Sequence, residues 1–286
     1  MSRMPLKKAH LALETPENTE SSSSSEDEED EMLDEEDRGE LQVEFEARTA
    51  EDCDYHGITR LLKQTFKGDE IPLDGLVNYI IAQKTVGSVI TQSNSGGADE
   101  DDEDEFDDLQ NEVFGLISLV RLQDQSSTAS KAASEYLRSL QPSTSSASLT
   151  SILSGNDSGV KPALLLSERI VNILAQISVP LYETLLKEIK KATLKRQPFV
   201  FTHYILLSKV LVADKEGGEE TFVNAEEEVF LPECDLVLDL KDKEPNYRHD
   251  WSGKSQLLEK RKLLVFRASQ FEKIVKRIIE AFPIPQ

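Results

Sequence analysis

The spacing of apolar residues divides this chain into stretches that fold and stretches that do not. In LQVEFEAR, Leu41, Val43, Phe45 and Ala47 alternate with Gln42, Glu44, Glu46 and Arg48, a period of two that predicts a half-buried strand. From about Asp54, Tyr55, Ile58, Leu61, Leu62 and Phe66 form one helical stripe, with Asp52 or Asp54 as cap. A second helix is predicted over Leu73 to Gln83, and a strand at Gly87 to Thr91. EVFGLISLVRL (Glu112 to Leu122) is a nearly continuous apolar strand, and KAASEYLRSL is a helix pattern. Pro142 to Gly159 is loop-rich, with room for one short helix.

Beyond Val160 the pattern is denser. PALLLSERI is strand-like, and VPLYETLLKEIKKATLKR is a helix with Pro180 in its first turn and Leu181, Tyr182, Leu185, Leu186 and Ile189 turned inward. FVFTHYILLSKVLVA (Phe199 to Ala213) is too β-branched and aromatic for a helix and predicts a long central strand. TFVNAEEEVFL and CDLVLDL predict two more strands, the first closing a hairpin opened at Lys215 to Gly218, and KLLVFR (Lys262 to Arg267) predicts the last. Phe271, Ile274, Val275, Ile278, Ile279 and Phe282 mark a terminal amphipathic helix. The element order predicts an α+β fold: a largely antiparallel sheet with helices on at least one face.

Charge sets the remaining segments apart. The formal net charge of the 286 residues is -22. Residues 26–40 hold 11 acids against Arg38, and residues 99–112 hold 10 acids and no base, so the rest of the chain is close to neutral. Residues 1–40 lack periodicity and predict a disordered acidic, Ser-rich tail; 92–111 predict a disordered acidic loop inside one domain spanning 41–286, with a second flexible loop at 142–159. No apolar run approaches the ~18 residues of a membrane span, and the first residues lack a secretory apolar region. Cys53 and Cys234 are too few for a disulfide framework, which suits a reducing interior. Acidic surfaces repel phosphate backbones, so the expected partner is a basic protein rather than nucleic acid.

Chemical motifs are few. WSGKS (Trp251 to Ser255) ends like a P-loop, but Arg248 stands where the first glycine belongs. GNDSG (Gly155 to Gly159) has its serine one place late for a nucleophile elbow. Cys53 and His56, with Cys234 and His249, lack the two tight pairs of a structural zinc site. The run containing Asp99, Asp101, Asp102 and Asp104 alternates like a calcium loop without its turn glycine. No catalytic, cofactor or metal residue is therefore assigned. The candidates are partner-binding: those four aspartates, the strand-edge acids Glu226, Glu227 and Glu228, and the helix lysines Lys187, Lys190 and Lys191, joined by Lys195 and by Lys273, Lys276 and Arg277 of the last helix. The basic residues make either an ordinary solvated helix face or a patch covered in cis by the acidic segments. Ser23, Ser24 and Ser25 each precede an acid by three residues, the pattern of acidophilic kinases.

Several runs together resemble the BCCIP family: VEFEA (Val43 to Ala47), GSVI (Gly87 to Ile90), EVFGLISL (Glu112 to Leu119), LLLSERI (Leu164 to Ile170), VPLYETLLKE (Val179 to Glu188), YILLSK (Tyr204 to Lys209) and NAEEEVF (Asn224 to Phe230). The resemblance implies a GNAT-like core without acetyltransferase chemistry, and the pyrophosphate loop R/Q-x-x-G-x-G/A is indeed absent, SNSGGA (Ser93 to Ala98) being the nearest string. It further implies a monomeric, non-enzymatic adaptor of nucleus and cytoplasm, a chaperone in ribosome biogenesis and nuclear export for a basic large-subunit ribosomal protein. In animals it implies a cell-cycle and repair scaffold for a recombination mediator or a cyclin-dependent kinase inhibitor. The hairpin DKEGGEET is shorter than the Lys-rich stretch of animal members, a departure that bears against the animal-specific partners. The competing reading is a degenerate acyltransferase using Glu226 or Tyr204.

Overall fold

The structure, a computed structural model, describes residues 9–11, 43–66, 71–92, 112–140, 146–154, 159–171, 173–213, 219–240, 246–249 and 256–284. Its sheet contains β1 (Ala9–Leu11), β2 (Val43–Arg48), β3 (Ser88–Gln92), β4 (Gly115–Arg121), β5 (Pro162–Arg169), β6 (His203–Ala213), β7 (Glu220–Phe222), β8 (Cys234–Leu240), β9 (Asn246–His249) and β10 (Gln256–Arg267). The strand order is β1-β2-β3-β4-β5-β6-β10-β8, with β7 against β6 and β9 against β10. Every pairing is antiparallel except β5 with β6.

The helices are α1 (Tyr55–Phe66), α2 (Leu73–Ala82), α3 (Thr128–Ser139), α4 (Ser146–Ser154), α5 (Ser178–Leu194) and α6 (Phe271–Ala281). The continuous apolar strands have two buried faces, and successive side chains serve them alternately. Leu116, Val120, Leu164, Leu166, Ile205 and Leu207 pack with α1 to α4, whereas Ile117, Leu119, Leu165 and Leu206 pack with α5 and α6. Helices therefore cover both faces of a largely antiparallel sheet, a mixed α+β architecture.

Local chemistry explains most of the boundaries. The turn before α1 is held by Asp54, whose carboxylate accepts the Glu51 N–H at 2.7 Å and a two-pronged bond from Arg48 at 2.7 Å each. Three expectations need correction. TFVNAEEEVFL continues as a strand only to Phe222, after which Ala225–Glu233 is a 3-10 helix. The stretch 1–40, read as wholly disordered, contains β1, whose backbone pairs with Val43 to Phe45. The strand ending at Arg267 begins at Gln256, and β9 beside it had no periodic signal.

One backbone position fixes the join between α2 and β3. Gly87 has φ +114°, and an added Cβ would lie 2.7 Å from Ser118 Oγ and 3.1 Å from the Ile117 carbonyl. Its N–H donates to Glu188 of α5 at 2.9 Å, tying the two faces together through the sheet. Gly159 has φ +134° with open space around its Cβ direction. Gly87→Ala is therefore expected to destabilise by about 2–3 kcal/mol and Gly159→Ala by only about 1 kcal/mol, measured by urea unfolding, because only the first adds a clash to the backbone strain.

Candidate functional site

The single parallel pair creates an opening in the sheet. β5 and β6 are in register over only four residues each, Pro162 to Leu165 against His203 to Leu206, and then diverge. The edge of β6 vacated by β5 is taken up by β7, at Val210 to Val212. Between the diverging strands lies a wedge, closed where the Val223 N–H donates to the Lys209 carbonyl at 2.9 Å and Asn224 leads into the 3-10 helix.

Charged side chains fill this wedge. Glu168 of β5 and Lys209 of β6 are 3% and 1% exposed and form an ion pair at 2.6 Å. Glu168 also accepts from Thr65 of α1 at 2.8 Å and from the Asn224 amide at 3.3 Å. One residue along β5, Arg169 turns to the opposite face and pairs with Glu226 at 3.2 Å, while donating to the Ile173 carbonyl. The Asn224 amide also donates to Glu227 at 2.9 Å. Two ion pairs leave Glu227 as a third carboxyl without a cation. Burial, reinforced by Glu168 and Glu226, pushes it up to about 8, so at neutral pH it holds its proton and the wedge is electrically balanced. Tyr182 of α5 donates to Ser167 at 2.9 Å beside this cluster, and burial raises its phenol well above the ordinary value.

The wedge is chemically a plug rather than a reaction site. Glu226 and Glu227 are buried in it, so these two form neither the solvated strand edge nor the partner surface expected of them, whereas Glu228, in a 3-10 helix and not a strand, is exposed. Tyr204, the other group considered for acyl transfer, is buried among Phe201, Phe266 and Phe271, and burial raises its phenol too. Cys234 is half-buried with its thiol pushed up to about 12, and Cys53 is exposed. Among the described residues, no three His, Cys, Asp or Glu side chains gather as metal ligands would.

The helix lysines lie on the surface, but acids of the fold itself bind most of the basic face. Lys187 meets Glu183 at 3.5 Å, Lys190 and Lys276 share Glu272 at 2.8 and 3.4 Å, and Lys273 and Arg277 share Glu233 at 2.8 Å each. Lys191 is exposed near Glu188, whose burial pushes it up to about 7. The patch needs no acidic segment to cover it. Asp99, Asp101, Asp102 and Asp104, and likewise Ser23, Ser24 and Ser25 and the string WSGKS, lie outside the described residues. Sequence reasoning missed Glu168, Arg169, Lys209 and Asn224. Their signal was present, as SER and SK interrupting the otherwise apolar LLLSERI and YILLSK.

Two outcomes test the wedge. Lys209→Met strands a buried carboxylate and is expected to cost about 3–5 kcal/mol in urea unfolding, largely recovered in the double variant with Glu168→Gln. Glu227 ionises near its ordinary 4.5 when unfolded but only near 8 when folded, so its contribution is fully present below 4.5 and is lost as pH rises through 8. Glu227→Gln should flatten the fall in urea midpoint between pH 5 and 8, leaving the part that comes from Glu188.

Comparison with known proteins completes the picture. The model of a family described as BCCIP matches residues 40–267. A Drosophila melanogaster "Protein BCCIP homolog" is 31% identical over 256 residues, covering 84% of this chain and 84% of the fly protein. The Mus musculus "BRCA2 and CDKN1A-interacting protein" is 35% identical, covering 69% of this chain and 66% of the mouse protein. "Protein bcp1" of Emericella nidulans is 26% identical, covering 86% of this chain and 89% of the fungal protein. A crystal structure of BCP1 from Saccharomyces cerevisiae superposes with a TM-score of 0.59 at 17% identity, over 87% of this chain and 93% of the yeast one, a likeness of fold.

Proposed function

The chain belongs to the BCCIP family, and from that premise we propose that it is a non-enzymatic adaptor and chaperone for a basic protein client. The client is of the kind the family resemblance implies, a large-subunit ribosomal protein accompanied between nucleus and cytoplasm during ribosome biogenesis. One observation carries this reading. Leu11 pairs with Val43, Phe45 with Gln92 and Ile90 with Gly115, so the strand ends that flank both acid-rich segments lie side by side at one end of the sheet.

Adjacent strands are ~4.8 Å apart, so these attachment points fall within roughly 20 Å of one another. Two runs of about ten net negative charges are thus tethered to one pole. Such a concentration of charge attracts a basic surface and competes with nucleic acid for it. The plugged wedge supports the non-enzymatic reading, since an acyl carrier entering between β5 and β6 would meet three carboxyl groups and a segment of the chain itself. Among the described residues no helix is long and apolar enough to cross a membrane.

A second reading rests on one further fact: mammalian relatives are named for interaction with BRCA2 and CDKN1A. A scaffold of that kind would differ in its partners and not in its chemistry.

Fluorescence anisotropy with a labelled basic ribosomal protein tests the client reading. Affinity is expected to fall at least about ten-fold between 50 and 300 mM salt, and to fall again when 26–40 and 93–111 are replaced by neutral linkers of equal length. Equal binding by both forms at both salts would contradict it. Calorimetry with acyl-CoA is expected to show no saturable heat.

A further inference from the structure

The opposite end of the sheet carries a different surface. There the end of β4, the start of β5 and the link from α5 into β6 enclose an open depression of about 370 Å³, lined by Arg121, Gln123, Asp124, Lys161, Val200 and Phe201 among others. The cleft is framed by fixed backbone. The Lys161 N–H donates to Thr202 Oγ1 at 2.8 Å, the Thr202 N–H donates to the Lys161 carbonyl at 2.9 Å, and Gln123 donates to the Val160 carbonyl at 2.6 Å. Phe201 is held edge-on to Phe199 and tilted against Tyr204. Val200, which lines the cleft, is 50% exposed, and Leu194, the last residue of α5, is 85% exposed.

The charges here are also unlike those elsewhere. Arg121 is held by Asp124 at 2.5 Å, but Lys161 in the lining, and Lys195 and Arg196 just before Gln197 in the link that enters the cleft, are exposed and have no ion pair among the described residues. On the neighbouring faces of α5 and α6, by contrast, Glu233 and Glu272 each hold two cations. A helix C-terminus carries about half a negative charge, which accounts for one cation and not three. Arg196 moreover takes the left-handed position that ends α5, with φ +54° and the next N–H, of Gln197, donating to the Ala192 carbonyl at 3.0 Å, a place that glycine fills with less strain. The seven residues of β4 place the cleft roughly 20 Å from the pole where the acid runs attach, about two Debye lengths at physiological salt. Those runs therefore do not neutralise these cations from their points of attachment.

We propose that this cleft is a second docking site, for an acidic segment of another protein that carries one or two bulky apolar side chains. The apolar groups seat on Val200 and Phe201, and the carboxylates meet Lys161 within the cleft and Lys195 and Arg196 on the link that leads into it. A molecule built this way holds a basic client at one pole and an acidic partner at the other. The assignment goes beyond the client reading and stands without it.

The test uses the full chain and a fluorescent peptide, DEEDFLDEED, in an anisotropy titration. Saturable binding is expected, weakened about ten-fold or more when the central Phe-Leu is replaced by Gly-Ser, and about three- to five-fold by either Lys161→Glu or Arg196→Gly. Arg196→Gly relaxes the backbone, so its loss of binding should come with unchanged or higher thermal stability. Equal binding of the Gly-Ser peptide, or indifference to both substitutions, would overturn the assignment. So would a ten-fold gain on removing residues 26–40, which would mean that the chain's own acid run occupies the cleft. Binding of a basic ribosomal protein to the same variants is expected to be unchanged, so the two readings fail separately.

Discussion

The divergence of β5 from β6 is the constraint on which the rest of the molecule depends. Two parallel strands that separate after four residue pairs leave backbone groups and charged side chains facing a gap in the middle of a two-sided core. An open gap would be costly, because buried polar groups without partners cost about 1–3 kcal/mol each. The chain closes it with its own Asn224 to Glu227, and Asn224 binds both Glu168 and Glu227. Because Glu168 also bonds to Thr65 on one face and Arg169 reaches Glu226 on the other, the plug joins the two helical layers through the sheet. Runs distant in sequence, LLLSERI, YILLSK and NAEEEVF, meet at this point.

That arrangement accounts for where function is left to reside. With the wedge filled, Tyr204 enclosed by aromatic rings and Glu226 tied to Arg169, the two surfaces proposed for binding lie at the ends of the sheet. The antiparallel order β1-β2-β3-β4 gathers the attachment points of the acid-rich segments at one end, and the length of β4 separates them from the cleft beside Lys161. Most of the net charge thus belongs to segments that attach at one pole.

The helices and most strands were legible because each buries one stripe or two faces of apolar side chains, which spacing reveals. The α6 pattern from Phe271 to Ile278 and the alternation in VEFEAR are of this kind. The plug was not legible. NAEEE carries three consecutive acids, which by themselves signal solvent, and only the cations Arg169 and Lys209, 55 and 15 residues earlier than Asn224 and brought near by the sheet, make burial of two of them affordable. Nor could spacing show that Glu272 also binds Lys190 or that Glu233 holds Lys273 and Arg277, since these contacts cross between elements, unlike the i,i+4 pair Lys276–Glu272. Strands β1 and β9 are short and owe their existence to a neighbour's edge rather than to a pattern of their own.

Hydrogen–deuterium exchange of the free and client-loaded chain shows whether a closed core presents its client surface at one pole. Slowed exchange confined to residues 43–46, 90–92 and 112–114, with the amides of 223–230 slow and unchanged in both states, is the predicted result. Exchange that changes at 223–230 when the client binds would mean that the wedge opens, and would contradict the account.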